Sequence, residues 1–132
     1  MKVTTQVYWL AFAALASFIG WIIYQADTGA KNTVFLLVES LPLGDKLGHI
    51  WLYGALAFLL NLSLALRQVR AKSYSIYWGS LIVLLFALLE ELSQQFFATR
   101  TLDAMDLVAD IIGVGLAEFL LRRKKSRSTS HD

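Results

Sequence analysis

Three short groups of polar residues hold the chemistry this sequence could do. Asp45, Lys46, His49 and Tyr53 form the first, with Asp45, His49 and Tyr53 four residues apart. On a helix that spacing lays the three side chains along one inclined face. Glu90, Glu91, Gln94 and Gln95 form the second, and Arg100, Asp103, Asp106 and Asp110 the third. An imidazole among carboxylates can move protons. Lysine and arginine can hold a phosphate, and a guanidinium fork can bridge two carboxylates.

Spacing within each group narrows these uses. Glu91 shares a face with Gln94 three residues on, and Glu90 pairs with Gln94 at four. Adjacent helical residues point about 100° apart, so Glu91 is read as the inward carboxylate. Glu90 then turns toward headgroups or another helix. Asp103, Asp106, Asp110, Gly113 and Ala117 follow spacings of three, four, three and four, one stripe that is acidic at its start and small further in. Small residues let a second helix approach closely. Arg100 is the natural counter-ion for the acids around it.

The elements that must position these groups are apolar. Hydrophobic residues make up 57% of the 132-residue chain, and its mean hydropathy is +0.56. A membrane span needs about 20 mainly apolar residues. Four candidates meet this, Val7 to Tyr24, Leu47 to Leu66, Ile76 to Phe97 and Leu102 to Leu121. The expected fold is therefore all-α, a four-helix transmembrane bundle occupying residues 1–121. All three polar groups fall at one set of span ends. Charged groups cost roughly 2.5–3.5 kcal/mol each at mid-membrane and less toward the interface.

Basic residues orient this arrangement. Lys2, the loop residues Arg67, Arg70 and Lys72, and the tail residues Arg122, Arg123, Lys124, Lys125 and Arg127 share one side, against Lys31, Lys46 and Arg100 opposite. The positive-inside rule then puts both termini in the cytoplasm and turns the polar ends outward. The first span continues past the small residues Ala14 to Ser17, so it reads as a retained helix and not a cleaved signal. Val34 to Leu41 is apolar but too short to cross, and lies along the outer interface or tucks against the bundle. Arg67 to Ser75 reads as a short basic loop, Phe97 to Thr101 as a tight turn, and residues 122–132 as a disordered basic tail on anionic lipid.

Whole classes of chemistry drop out. The chain has no cysteine, which removes disulfides, thiolate metal sites and cysteine nucleophiles. It has no nucleophile elbow, His-Glu-x-x-His motif or phosphate-binding glycine loop, and no cofactor is expected. His49, Glu91 and Asp106 form a conceivable ligand set without recognisable spacing, so no metal is assigned. Membrane lipids are the expected partners, together with a lipid-linked or phosphate-bearing headgroup; nucleic acid is not.

The same residues resemble the VanZ-like family of small integral membrane proteins. Asp45-Lys46-x-x-His49-x-x-x-Tyr53 is similar to that family's opening motif. Glu91-x-x-Gln94, Arg100-Thr101 and Asp106 are similar to its later one, and Gly113 falls where the family has a glycine. The likeness runs from about Asp45 to Leu121. Asp110 departs from it, since the family usually has an asparagine there. The resemblance implies a multi-span protein of the bacterial cell envelope, in the cytoplasmic (inner) membrane, from a family whose founding member is linked to resistance to the glycopeptide teicoplanin.

Several functions stay open on this reading. The cluster is a scaffold or a binding site, with Lys46 and Arg100 on a phosphate and His49, Glu91 and Asp106 orienting it. Alternatively it is the centre of a membrane enzyme, with His49 and Glu91 sharing acid–base work on a lipid-linked substrate. A coupled transporter is less favoured, because no inverted repeat or broken helix is visible.

Overall fold

The computed structural model describes residues 3–30, 33–98 and 100–129, excepting the side chains of 128 and 129. Helix dominates. In chain order the elements are α1 (Val3–Asp27), α2 (Thr33–Ser40), α3 (Gly44–Ser63), β1 (Gln68–Ala71), β2 (Tyr74–Tyr77), α4 (Trp78–Ser93), a 3-10 turn (Gln94–Phe96) and α5 (Ala104–Thr129). Two helical stretches, Val3–Asp27 and Trp78–Phe96, are long and apolar enough to cross a membrane.

Three sequence expectations are corrected. The fold is not purely helical, because the basic loop is an antiparallel hairpin pairing Gln68 with Tyr77 and Val69 with Ile76. Its signal was present but short: β-branched and aromatic residues alternate with polar ones on either side of Lys72-Ser73, as strands prefer. Ile76 and Tyr77 therefore belong to β2, and the third span starts as helix only at Trp78. Finally, α5 carries the basic segment as helix to Thr129, where a disordered tail was expected; Ser130 to Asp132 lie outside the described residues. The apolar segment after α1 forms α2 and packs against α3, the tucked alternative of the two.

α3 is the hub, touching α1, α2, α4 and α5. Its buried residues Tyr53, Leu56, Ala57 and Leu60 meet Ile19 of α1, Val83 and Ala87 of α4, and Val114 and Ala117 of α5. On α4 the buried positions are Gly79, Ser80, Val83, Ala87, Glu90 and Glu91, a stripe of helical period. The opposite face of α4 is not polar. Leu81, Ile82, Leu85, Phe86, Leu88, Leu89 and Leu92 are all exposed there, as are Ile111, Ile112, Leu116, Phe119 and Leu120 on α5. α1 buries only Ile19. The interior thus mixes apolar side chains with small and polar groups, while most large apolar side chains of α4 and α5 face out.

α3 and α5 approach each other closely. A Cβ on Gly113 would overlap the Ile50 carbonyl oxygen, and one on Gly54 would lie 2.9 Å from the Gly113 oxygen. The small-residue stripe on α5 therefore has a definite partner. At the far end, a buried clamp joins α3 to α4, with Asn61 Nδ2 donating to Ser80 Oγ at 2.9 Å and Ser80 N–H donating to Asn61 Oδ1 at 3.1 Å. Glu118 accepts the Tyr77 N–H at 2.7 Å and the Arg122 Nε–H at 2.7 Å, which ties the hairpin to α5.

Gly113 and Gly115 separate packing from helix propensity, because a Cβ on Gly115 meets nothing within 4 Å. Gly113→Ala should destabilise the purified protein by at least about 1–3 kcal/mol through overpacking. Gly115→Ala should be neutral or stabilising by roughly 0.5–1 kcal/mol. Thermal unfolding midpoints measure both. Equal losses at the two sites would remove the close-contact explanation.

Candidate functional site

The three polar groups converge at one end of the molecule. The first turns of α3 and α5 meet the last turns of α1 and α4 there. Asp45, Lys46, His49 and Tyr53 come from α3, Glu90 and Glu91 from α4, and Gln94 from the 3-10 turn. Arg100 and Asp103 lie in the connection to α5, and Asp106 and Asp110 on its first turns. Every expected site residue is thus brought to one place. A further acid joins them: Asp27, from the end of α1.

Two cation-centred networks divide this space. Lys46 Nζ donates to Asp103 Oδ2 at 2.6 Å, to Asp106 Oδ1, and more loosely to Asp45 Oδ2 at 3.3 Å. Arg100 donates from Nη1 to Asp27 Oδ1 at 2.6 Å and from Nη2 to Glu90 Oε1 at 3.2 Å. Gln94 Nε2 donates to Glu90 Oε2 and Glu91 Oε2, each at 3.2 Å. Glu91 Oε1 accepts the Asp103 N–H at 2.7 Å, fixing the entry into α5. Neither Lys46 nor Arg100 stands as a bare cation awaiting phosphate; each is already held by carboxylates.

Both glutamates of α4 turn inward, Glu91 as expected and Glu90 with it. Glu90 does not turn to the headgroups: it is 8% exposed, against 3% for Glu91. Their angular separation let each take its own partner, Arg100 for Glu90 and the start of α5 for Glu91. Arg100 spans Asp27 and Glu90, so it ties α1 to α4. The only hint of Asp27 in the sequence was its position at the same end of the first span as the other acids.

His49 sits between the networks. Its Nδ1 lies 2.7 Å from Asp110 Oδ1, and Nε2 lies 3.7 Å from Asp106 Oδ2 and 3.9 Å from Asp45 Oδ1. Its ring stacks on Tyr53, with centroids 5.7 Å apart and planes 4° apart, and Tyr53 in turn stacks on Phe86. Asp110 is 1% exposed, and its Oδ2 has no hydrogen-bond partner among the described residues. With Nδ1 held by Asp110, Nε2 is aimed at the two remaining carboxylates.

A cavity of about 610 Å³ opens beside this cluster. One wall is apolar, built from Phe18, Ile22 and Ile23 of α1 and Val34, Phe35 and Val38 of α2. The other is polar, with Asp45, His49, Glu90, Gln94, Arg100 and Asp106. Thr99, in the turn before Arg100, lies outside the described residues. Compared with protein-family models, with curated proteins and with solved structures, the chain matches none.

Removing one partner of a largely buried ion pair leaves a charge uncompensated, at about 3–5 kcal/mol. Arg100→Gln should therefore destabilise the protein by roughly that amount, because Glu90 stays buried. Adding Glu90→Gln to it should recover part of the loss. Denaturant or thermal unfolding of the two variants checks this, and a double variant less stable than Arg100→Gln alone would show that the pair is not coupled.

Proposed function

We propose that the chain is a VanZ-like, multi-span protein of the bacterial cell envelope, and that its cavity holds a membrane amphiphile. The observation that carries this reading is the two-sided cavity. An apolar wall from α1 and α2 suits an acyl or prenyl chain, and the polar wall suits a lipid or cell-wall-precursor headgroup. Cavities of this size, mostly apolar with a few convergent polar groups, are typical ligand sites.

The exposed apolar faces of α1, α4 and α5 support the membrane assignment. Each large apolar side chain left in water forfeits roughly 1.5–3 kcal/mol. The dozen on α4 and α5 are 39–58% exposed, so together they forgo on the order of 10–20 kcal/mol in water. In lipid that term vanishes. On this reading the four long helices form a transmembrane bundle with both termini cytoplasmic. The hairpin and the end of α5 lie together, with Arg122 Nη2 donating to the Ser75 carbonyl at 2.8 Å. Their basic residues therefore gather on one side, as the positive-inside rule requires. The polar cavity then opens outward. A link to glycopeptide resistance is carried by the family resemblance alone.

The His49–Asp110 pair favours a second reading, a membrane enzyme acting on a lipid-linked substrate. A carboxylate 2.7 Å from Nδ1 leaves Nε2 facing the cavity as a base. Glu91 is a weaker partner in such chemistry than the sequence suggests, because Oε1 holds the Asp103 amide.

Two measurements test the assignment. A C-terminal fluorescent-protein fusion should be bright and a C-terminal alkaline phosphatase fusion inactive; the reverse pattern would turn the cavity to the cytoplasm and overturn the orientation. Purified protein should carry co-purifying lipid detectable by mass spectrometry, and Val38→Trp, which fills the cavity from α2, should reduce it at least tenfold while the protein stays monodisperse. Unchanged lipid in that variant would refute cavity binding.

A further inference from the structure

We infer that Asp45, His49 and Asp106 form a binding site for one divalent metal ion of the zinc or manganese type. One donor atom from each of the three lies within 4.8 Å of the others. A carboxylate–carboxylate–imidazole set of this kind suits such ions.

The side-chain orientations point the same way. His49 Nε2 faces Asp106 Oδ2 at 3.7 Å and Asp45 Oδ1 at 3.9 Å. The other oxygen of each acid, Asp106 Oδ1 and Asp45 Oδ2, is held by Lys46. Lys46 thus contacts one oxygen of each acid and leaves Asp106 Oδ2 and Asp45 Oδ1 as the oxygens that face His49 Nε2. Behind the imidazole, Asp110 holds Nδ1 at 2.7 Å, the carboxylate–histidine–metal arrangement that fixes ring orientation and raises ligand basicity. A ligand-to-ligand separation of about 3.3 Å follows from metal–ligand bonds near 2.0–2.2 Å in a tetrahedron. Small rotations of Asp45 and Asp106 would close the remaining gap.

Charge supplies an independent reason. Around the ligand set, Asp45, Asp103 and Asp106 share the one Lys46 ammonium, and Asp110 meets His49. Buried carboxylates are costly unless paired or bound to a metal, and one oxygen of Asp110 is buried with no hydrogen-bond partner among the described residues. A divalent ion cancels two of the excess charges at the point where three donors already converge. All three ligands line the cavity, so the ion's remaining coordination positions would open into it. On the reading that the cavity holds an amphiphile, the ion is what lets an anionic phosphate approach an acidic wall. That consequence rests on the proposed function; the metal site does not.

Untagged protein, stripped with chelator and exchanged into metal-free buffer, tests the site. Titration with Zn²⁺ by calorimetry should show one equivalent bound. Co²⁺ should develop the visible absorption of a tetrahedral or five-coordinate centre. Asp45→Asn, His49→Gln and Asp106→Asn should each weaken binding at least tenfold and abolish the Co²⁺ spectrum, and Asp110→Asn should weaken it about 10–100-fold as an outer-shell change. Glu118→Gln, at the opposite end of the molecule beside the hairpin, should bind as the parent does. Asp45 is largely exposed, so Asp45→Asn reports on the site even where a buried variant fails to fold. No saturable binding, or binding unaltered by Asp45→Asn, overturns the proposal. A phosphatidic acid that binds only with metal present would support the bridging role. Lipid binding indifferent to metal would refute that role and leave the site standing.

Discussion

The close contact of α3 with α5 governs the rest of this structure. Gly54 and Gly113 remove side chains where the two backbones meet, and only at that separation can His49 and Lys46 reach Asp103, Asp106 and Asp110. A residue with a Cβ at Gly113 would push against the Ile50 carbonyl, one turn from the ion pairs. In a protein whose large apolar side chains face outward, the hydrophobic effect does little to hold helix to helix if the surroundings are lipid. Close packing of small residues and interhelical hydrogen bonds then supply the association. Both are found along the same seam.

Electrostatics at the polar end follow from cations shared between acids. Among the described residues, Lys46 holds Asp45, Asp103 and Asp106, and Arg100 holds Asp27 and Glu90. Lys46 joins α3 to α5, while Arg100 joins α1 to α4. Glu91 and Gln94 are placed by a backbone amide and by neighbouring carboxylates. Such a network ties four chain segments together, yet among the described residues it leaves Asp110 Oδ2 unsatisfied and Nε2 of His49 directed at two acids. His49, Glu90, Arg100 and Asp106 of this network line the cavity.

The opposite end is held by neutral and singly paired groups. Asn61 and Ser80 satisfy each other inside the protein, and Gly79 makes room for the Asn61 side chain. Glu118 fastens the hairpin through the Tyr77 amide, and the Arg122 guanidinium lies 5.0 Å over the Tyr77 ring. Rigid closure here and an open acidic cleft at the other end give the molecule a clear polarity.

Much of this was legible before any coordinates. Helical period and length marked the apolar segments, because burying one helix face imposes spacings of three and four. That rule also aligned Asp45 with His49 and Tyr53, and Asp106 with Asp110 and Gly113, since residues on one face must stay on it. Partners across elements followed no such rule. Nothing local indicated that Glu90 would face inward with Glu91, that Asp27 would meet Arg100 across 73 positions, or that Lys46 would be consumed by acids. The hairpin was missed because four-residue strands carry too few alternations to outweigh a basic loop. Composition and periodicity determine what each segment can bury; which donor meets which acceptor depends on how close two backbones come, and that distance exists only once the helices have packed.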